Sequence, residues 1–338
     1  MNDPLLLEGR SAIVTGAGAG LGKAEALALA SAGASVVVND LSSEVLRRVV
    51  DEITAVGGQA VAVAGDIGEW ETGQRLVAAA IDAFGKLDIL VNNAGLVRDR
   101  MVFSMSAEEW DLVLKVHLRG HFVTTRFATA YWRDQSKKAG GPVYARIVNT
   151  SSEAFLFGSP GQPNYSAAKA GIAALTVSTA RGCGRYGVRA NAICPRARTA
   201  MTADLMSAPP EGAPDPLAPE HVTPLVTYLA GPAAAGINGE VFVVHGGVAA
   251  LMAPPSVRAV ARAADHGSAD GMWTLDSIAK ALGPLFAGTR FGDSPSGASG
   301  ASGASGTSEA PGVPGAGFAC DETAALASET IGIPSSGN

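Results

Sequence analysis

Seven short apolar runs alternate with amphipathic stretches long enough to be helices, and this alternation limits the possible folds more than any other feature. The runs cover residues 11–15, 35–39, 60–65, 88–91, 145–150, 188–194 and 240–244. Helical patterns cover 21–32, 44–56, 69–84, 107–131, 165–186 and 220–229. Such alternation builds a parallel sheet, because each crossover helix must return the chain across one face of it. The runs lack strict polar alternation, as strands covered on both faces should. The expectation is an α/β, doubly wound fold with a seven-stranded parallel sheet and helices on both faces.

This pattern fills residues 1–253, the first expected domain. A C-terminal extension with one helix at 275–282 is expected over 254–291, and a Gly/Ser/Ala-rich flexible tail over 292–338. The repeat at 294–306 has too little apolar surface to offset its ordering entropy, so a disordered tail is expected. With 47% hydrophobic residues the chain can bury a large core. A net charge of −6 and the absence of a long Lys/Arg run argue against nucleic acid or an anionic membrane surface as partner. No run approaches the roughly 20 apolar residues of a membrane span. The N-terminus lacks the apolar core of a signal peptide. Three cysteines without metal-ligand spacing read as reduced thiols, so a cytoplasmic location and no metal are expected.

The first apolar run leads into Thr15-Gly16-Ala17-Gly18-Ala19-Gly20-Leu21-Gly22, which opens a helix. Glycines there let the backbone approach a pyrophosphate at the helix N-terminus, which makes the sheet one of Rossmann type. Gly16, Gly20, Leu21 and Gly22 are the candidate cradle. Asp40, ending the second run, can accept hydrogen bonds from both ribose hydroxyls and would repel a 2′-phosphate. NAD(H) is therefore the preferred cofactor, while Lys23 beside the turn leaves NADP(H) possible. Asp66 and Ile67, with Asn93, Ala94 and Gly95, fall on the same carboxyl edge. Asp66 suits an adenine amino group or an N-cap of the next helix.

Among the five tyrosines only Tyr165 has a lysine four residues on, Lys169. That spacing shares a helix face. A phenol with a pKa near 10 is a poor base at pH 7. A cation about 4 Å away, at an effective dielectric of about 20, is worth about 4 kcal/mol, or roughly three pKa units before desolvation. The spacing is weak by itself, but Ser151-Ser152 ends the fifth run on the same edge.

Together these residues resemble the short-chain dehydrogenase/reductase family, from Gly9 to about Gly247. Its Thr-Gly-x-x-x-Gly-x-Gly turn, Asn-Asn-Ala-Gly segment, serine thirteen residues before tyrosine, and Tyr-x-x-x-Lys fall on Thr15–Gly22, Asn92–Gly95, Ser152, Tyr165 and Lys169. The resemblance implies that Tyr165 is the acid/base, Ser152 orients the substrate, and Lys169 also bonds the nicotinamide ribose. The family's fourth catalytic position, an asparagine acting through its backbone carbonyl and a water, falls on His117. A core or interface histidine is the alternative there. Cys194-Pro195-Arg196 stands where most members have Pro-Gly, and Thr199 is placed to contact the cofactor. A subgroup with these departures is similar to the 3-hydroxyacyl-CoA dehydrogenase unit of multifunctional enzyme type 2 (17β-hydroxysteroid dehydrogenase type 4) and its actinobacterial relatives. It implies a homodimer or homotetramer paired through the helices at 107–131 and 165–186.

The expected function is thus NAD(H)-dependent interconversion of a secondary alcohol and a ketone on an apolar acyl thioester or steroid-like substrate, with residues 201–219 as a mobile lid. A 3-oxoacyl-acyl-carrier-protein reductase shares the catalytic residues. It would call for NADPH and a basic patch at the entrance, which Arg181, Arg185 and Arg189 could supply. A non-catalytic cofactor-binding or scaffold protein would call for a broken triad, and the triad is intact.

Overall fold

The computed structural model describes residues 7–199, 215–255, 257, 259–267 and 270–286. The chain divides into two compact units, Met1–Ala253 and Pro254–Asn338. The first is built on an eight-stranded sheet in the order β3-β2-β1-β4-β5-β6-β7-β8. Its strands are β1 (Ser11–Thr15), β2 (Ser35–Asp40), β3 (Ala60–Ala64), β4 (Ile89–Asn92), β5 (Ala145–Thr150), β6 (Val188–Pro195), β7 (Val241–His245) and β8 (Val248–Leu251). The first seven run parallel. The eighth corrects the expected count of seven. It returns antiparallel to β7, with His245 opposite Val248, through Gly246-Gly247. Gly246 has φ +49°, the left-handed conformation a two-residue hairpin turn needs. All four residues of β8 are exposed, so it carries no burial pattern that a sequence reading could detect.

Both faces of the sheet are covered, and successive strand residues feed opposite cores. Ala12, Val14, Val36, Val38, Ile89 and Val91 join one apolar cluster. Their neighbours Ile13, Val37 and Leu90 join the other. This accounts for strands that are apolar at every position. Helices α1 (Gly20–Ser31), α2 (Ser43–Ala55) and α8 (Thr223–Ala230) contribute to the first cluster. Helices α3 (Trp70–Phe84), α5 (Gly120–Ala139) and α7 (Pro163–Cys183) contribute to the second. Local chemistry sets several of the starts. Ser42 accepts a hydrogen bond from Val45 N at the head of α2, and Pro163 opens α7.

The long helix expected over 107–131 is interrupted. Helix α4 (Ala107–Leu114), started by a Ser106/Glu109 capping box, passes into a π-helical segment, Lys115–Arg119, before α5. A short α6 (Ala154–Phe157) follows β5. In the second unit, α9 (Leu275–Leu282) occupies the expected helical residues, with a Thr274/Ser277 capping box. The expected lid, 201–219, falls mostly outside the described residues, and the expected tail, 292–338, wholly outside them.

Candidate active site

Strand order reverses between β1 and β4, and the chain leaves both at their carboxyl ends. In open α/β sheets this opens the crevice in which ligands bind. Gly16 has φ +63°, and a Cβ there would lie 2.8 Å from Ala94 Cα. At Gly22 a Cβ would run into Asn93 Nδ2 and the carbonyl of Gly16, and at Gly20 it would meet Thr199 Cγ2 at 3.2 Å. The glycine turn thus draws Asn93, Ala94 and Thr199 tightly around it, while Leu21 is buried. Thr15 Oγ1 accepts from the backbone N–H groups of Asn93 and Ala94 at 3.0 and 3.1 Å. Asn93 Nδ2 donates to Thr15 O at 3.1 Å, so this amide pins the β4 loop to the turn.

Asp40 is fixed by the same turn, its Oδ2 accepting from Gly18 N–H at 3.0 Å. Lys23 is engaged elsewhere, 2.7 Å from Glu52 on α2. Asp66 is not the N-cap of α3; that position is Glu69. Its carboxylate accepts instead from Gly68 N–H and pairs with Lys115 at 2.8 Å each. Burial pulls the Asp66 carboxyl upward, but these two partners outweigh it and hold it below the usual range. Ile67 is buried beside it.

At the ends of β5 and β6 the two adjacent serines separate in role. Ser151 is buried and donates to the backbone carbonyl of Lys169 at 2.9 Å. Ser152 Oγ accepts from Ala154 N–H at 3.2 Å and lies near enough to the Tyr165 phenol to lower its pKa. Lys169 is 2% exposed, its Nζ 5.3 Å from the centre of the Tyr165 ring and donating to Thr150 O at 2.6 Å. The electrostatics differ from the expectation. Burial pushes Lys169 down to about 7. Burial also raises the Tyr165 phenol, against the Ser152 hydrogen bond that lowers it. The low phenol pKa expected from a fixed neighbouring cation is not what these side chains produce alone, because burial of the phenol itself prevails.

His117 lies in the π-helical segment and is buried. Its Nε2 sits at the backbone of Leu96, 3.0 Å from N and 2.7 Å from O. Its ring meets the Tyr165 ring edge-on, with centroids 5.2 Å apart at 89°. A Cβ on Gly95 would overlap the imidazole. Burial first, then the Lys169 charge, drive His117 well below the ordinary histidine range, so the ring is neutral.

Several contacts escaped the sequence reading. Arg196, where the resemblance expects glycine, grips Glu153 with two hydrogen bonds, 2.5 and 2.9 Å. This ties the residue after Ser152 to the end of β6. Beneath the site, Thr124, Asn92, Asn149 and Thr176 form a buried hydrogen-bonded chain across α5, β4, β5 and α7. Conversely, Arg181, Arg185 and Arg189 lie at the end of α7 and the start of β6, the opposite edge of the sheet. Arg189 is bonded to the carbonyls of Ala235 and Gly184. They do not form an entrance patch.

The residues suit a dinucleotide. The glycine cradle leaves no room for side chains, and Thr150 Oγ1 and His117 Nδ1 are buried near Lys169 without a hydrogen-bond partner among the described residues. A Rossmann sheet with a Ser–Tyr–Lys group at its carboxyl edge defines an oxidoreductase that acts on CH–OH groups with a nicotinamide cofactor. The chain belongs to the short-chain dehydrogenase family, whose model matches residues 10–209. It is 56% identical over 292 residues to the hydroxyacyl-CoA dehydrogenase ChsB1 of Mycobacterium tuberculosis, spanning 83% of this chain and 90% of that protein. It is 41% identical over 238 residues to the peroxisomal multifunctional enzyme type 2 of Mus musculus, spanning 68% of this chain and 31% of that one. A crystal structure of a short chain dehydrogenase from Mycobacterium avium superposes with a TM-score of 0.72 at 45% identity, over 83% of this chain and 94% of the other. Among the described residues no helix is long and apolar enough to cross a membrane.

Proposed function

We propose that the protein is an NAD(H)-dependent dehydrogenase of 3-hydroxyacyl-CoA thioesters. The observation that carries this reading is Tyr165 with Ser152 near its phenol and Lys169 Nζ 5.3 Å from its ring centre, on the sheet edge that also carries the glycine turn. In the oxidising direction Ser152 donates a hydrogen bond to the substrate oxygen while Tyr165 takes the hydroxyl proton. A bound nicotinamide supplies the hydride acceptor for the carbinol carbon. Lys169, anchored at Thr150 O, stabilises the phenolate by its charge and is itself close to titration at neutral pH. Asp40, held by Gly18 N–H, is placed to receive ribose hydroxyls, and the engagement of Lys23 by Glu52 removes a partner for a 2′-phosphate. Both favour NAD(H).

The substrate class rests on the similarity to hydroxyacyl-CoA dehydrogenases and on the loops around the site. The loop after β4 is stitched to the α6–α7 connection by Gln162–Asp99 and to the first turn of α7 by Asn164–Arg98 O. It exposes Met101, Val102 and Phe103, and α6 exposes Leu156 and Phe157. Such surfaces suit an acyl chain.

Tyr165→Phe removes the proton acceptor without changing the ring that packs on His117. Turnover of a 3-hydroxyacyl-CoA should fall by at least about 10²-fold, while NADH still binds, as followed by its fluorescence. A variant with near-parental turnover would refute the assignment. The unaltered enzyme should also show a higher kcat/KM with NAD than with NADP.

A further inference from the structure

His121 is one helical turn beyond His117, at the start of α5, and is 2% exposed. Its Nδ1 lies 2.7 Å from the backbone carbonyl of His117. A carbonyl only accepts, so Nδ1 carries the proton. The other ring nitrogen, Nε2, is buried and makes no hydrogen bond among the described residues, the Asn92 backbone being the other polar group close to the ring. Burial, and after it the Lys169 charge, hold the imidazole down to about 3. His121 is therefore a neutral donor with one fixed tautomer.

The carbonyl it holds is unusual. In the π-helical segment the regular N–H to C=O ladder is broken, and the N–H of Gly120 is shared between His117 O and Lys115 O. The segment is pinned from outside by Lys115, paired with Asp66 and Glu69, and by Arg119 Nε, which donates to Gly68 O at 2.7 Å. On the inside, the bond from His121 is the side-chain contact on the His117 carbonyl. The His117 ring in turn reaches Leu96 and the edge of Tyr165. The path from His121 to the phenol is thus two contacts long.

We propose that His121 is a positioning residue of the proton-transfer site. Its Nδ1–H fixes the carbonyl of His117 and with it the π-helical segment that seats the His117 imidazole against Tyr165. This role rests on the dehydrogenase reading above. A small shift of a segment bearing on the acid/base costs rate without removing any reacting group.

The test compares His121→Leu with His121→Asn in the full chain. Leucine fills the space but has no donor; the carboxamide of asparagine places an N–H where Nδ1 stands. His121→Leu should lower kcat about ten- to hundredfold, with the Kd for NADH unchanged, and His121→Asn should regain most of that loss. A role confined to packing would leave kcat of the folded variants unaltered, or make asparagine no better than leucine, and either result overturns the proposal. Nitrogen-15 NMR of histidine-labelled protein provides a readout independent of turnover and of the leucine variant's folding. His121 should stay Nδ1-protonated and neutral from pH 5 to 8; an Nε2–H tautomer or an imidazolium in that range overturns the proposal. If the parent oxidises no 3-hydroxyacyl-CoA, the functional reading fails, and the tautomer still decides whether the His121–His117 bond exists.

Discussion

Glu25 is the residue whose chemistry fits its surroundings least. It lies on α1, fully buried, and neither carboxylate oxygen has a hydrogen-bond partner among the described residues. Burial pushes its carboxyl up to about 8. In the unfolded chain the same group ionises near pH 4.5. Between those values the folded protein retains a proton that the unfolded chain has released, so stability falls as pH rises through that window. Below it both states are neutral and the cost vanishes. Glu25→Gln cannot ionise, so its melting temperature relative to the parent should climb steadily from pH 5 to 8. The gain should be up to about 1.4 kcal/mol per pH unit, whatever the constant offset from burying an amide. A difference independent of pH would mean that the carboxylate finds a partner on ionising. Lys169 works the other way in a later window. Its lowered pKa relieves a burial cost as pH rises beyond about 7, so the paired comparison at Glu25 isolates one group from the other.

At the scale of elements, the strands were legible because their burial on both faces leaves uniform apolar runs, and the glycine turn because backbone approach excludes side chains. The proposed proton-transfer residues share one sheet edge for a similar reason: Ser152 follows β5, and the i, i+4 spacing of Tyr165 and Lys169 puts both on one face of α7. What escaped was geometry that no residue type encodes. The apolar pattern at 107–131 is continuous through Lys115–Arg119, since a π turn adds one residue without altering composition. Strand β8 is exposed throughout, so nothing selects its residues for burial. The effect of burial on Tyr165 and on Lys169 was invisible too, because desolvation depends on neighbours distant in sequence. The π-helical segment also explains a glycine that the dinucleotide alone does not require. Gly95 faces the His117 ring so closely that a methyl group would occupy the imidazole's space. Gly95→Ala should therefore displace His117 or the Leu96 backbone, destabilising the fold by about 1–3 kcal/mol. Its kcat should fall more than cofactor affinity does. Unfolding curves with initial rates would check this; an alanine variant with parental kcat would show that the ring is free to move.

At the scale of the whole molecule, the features left over lie on the outer surface of the helix layer that carries the site. Trp70 on α3 meets Phe127 edge-on at 5.0 Å and lies tilted against Phe122 at 6.3 Å, both on α5, with the Arg126 guanidinium 4.6 Å from the Phe127 ring centre. Trp110 on α4 is 41% exposed and Phe122 is 45% exposed. Large aromatics and an arginine left half-covered are the composition of an interface centre rather than of a solvated surface. Trp110, Phe122, Arg126 and Phe127 sit within 107–131, one of the two segments expected to pair subunits, and we propose a homo-oligomer joined there. The arrangement has a consequence for the site, because α5 begins at the π-helical segment and the same layer contains α7, which carries Tyr165 and Lys169. Pairing would stiffen the elements that seat the acid/base without contributing a reacting group. Phe122→Glu introduces a charge at the proposed centre and should weaken association by about 2 kcal/mol or more, roughly thirtyfold. Light scattering across a dilution series should show a dimer or tetramer for the parent and smaller species for the variant at equal concentration. If the parent is a monomer at every concentration, the aromatic face has another purpose; if it assembles and the variant matches it, the interface lies on a different surface.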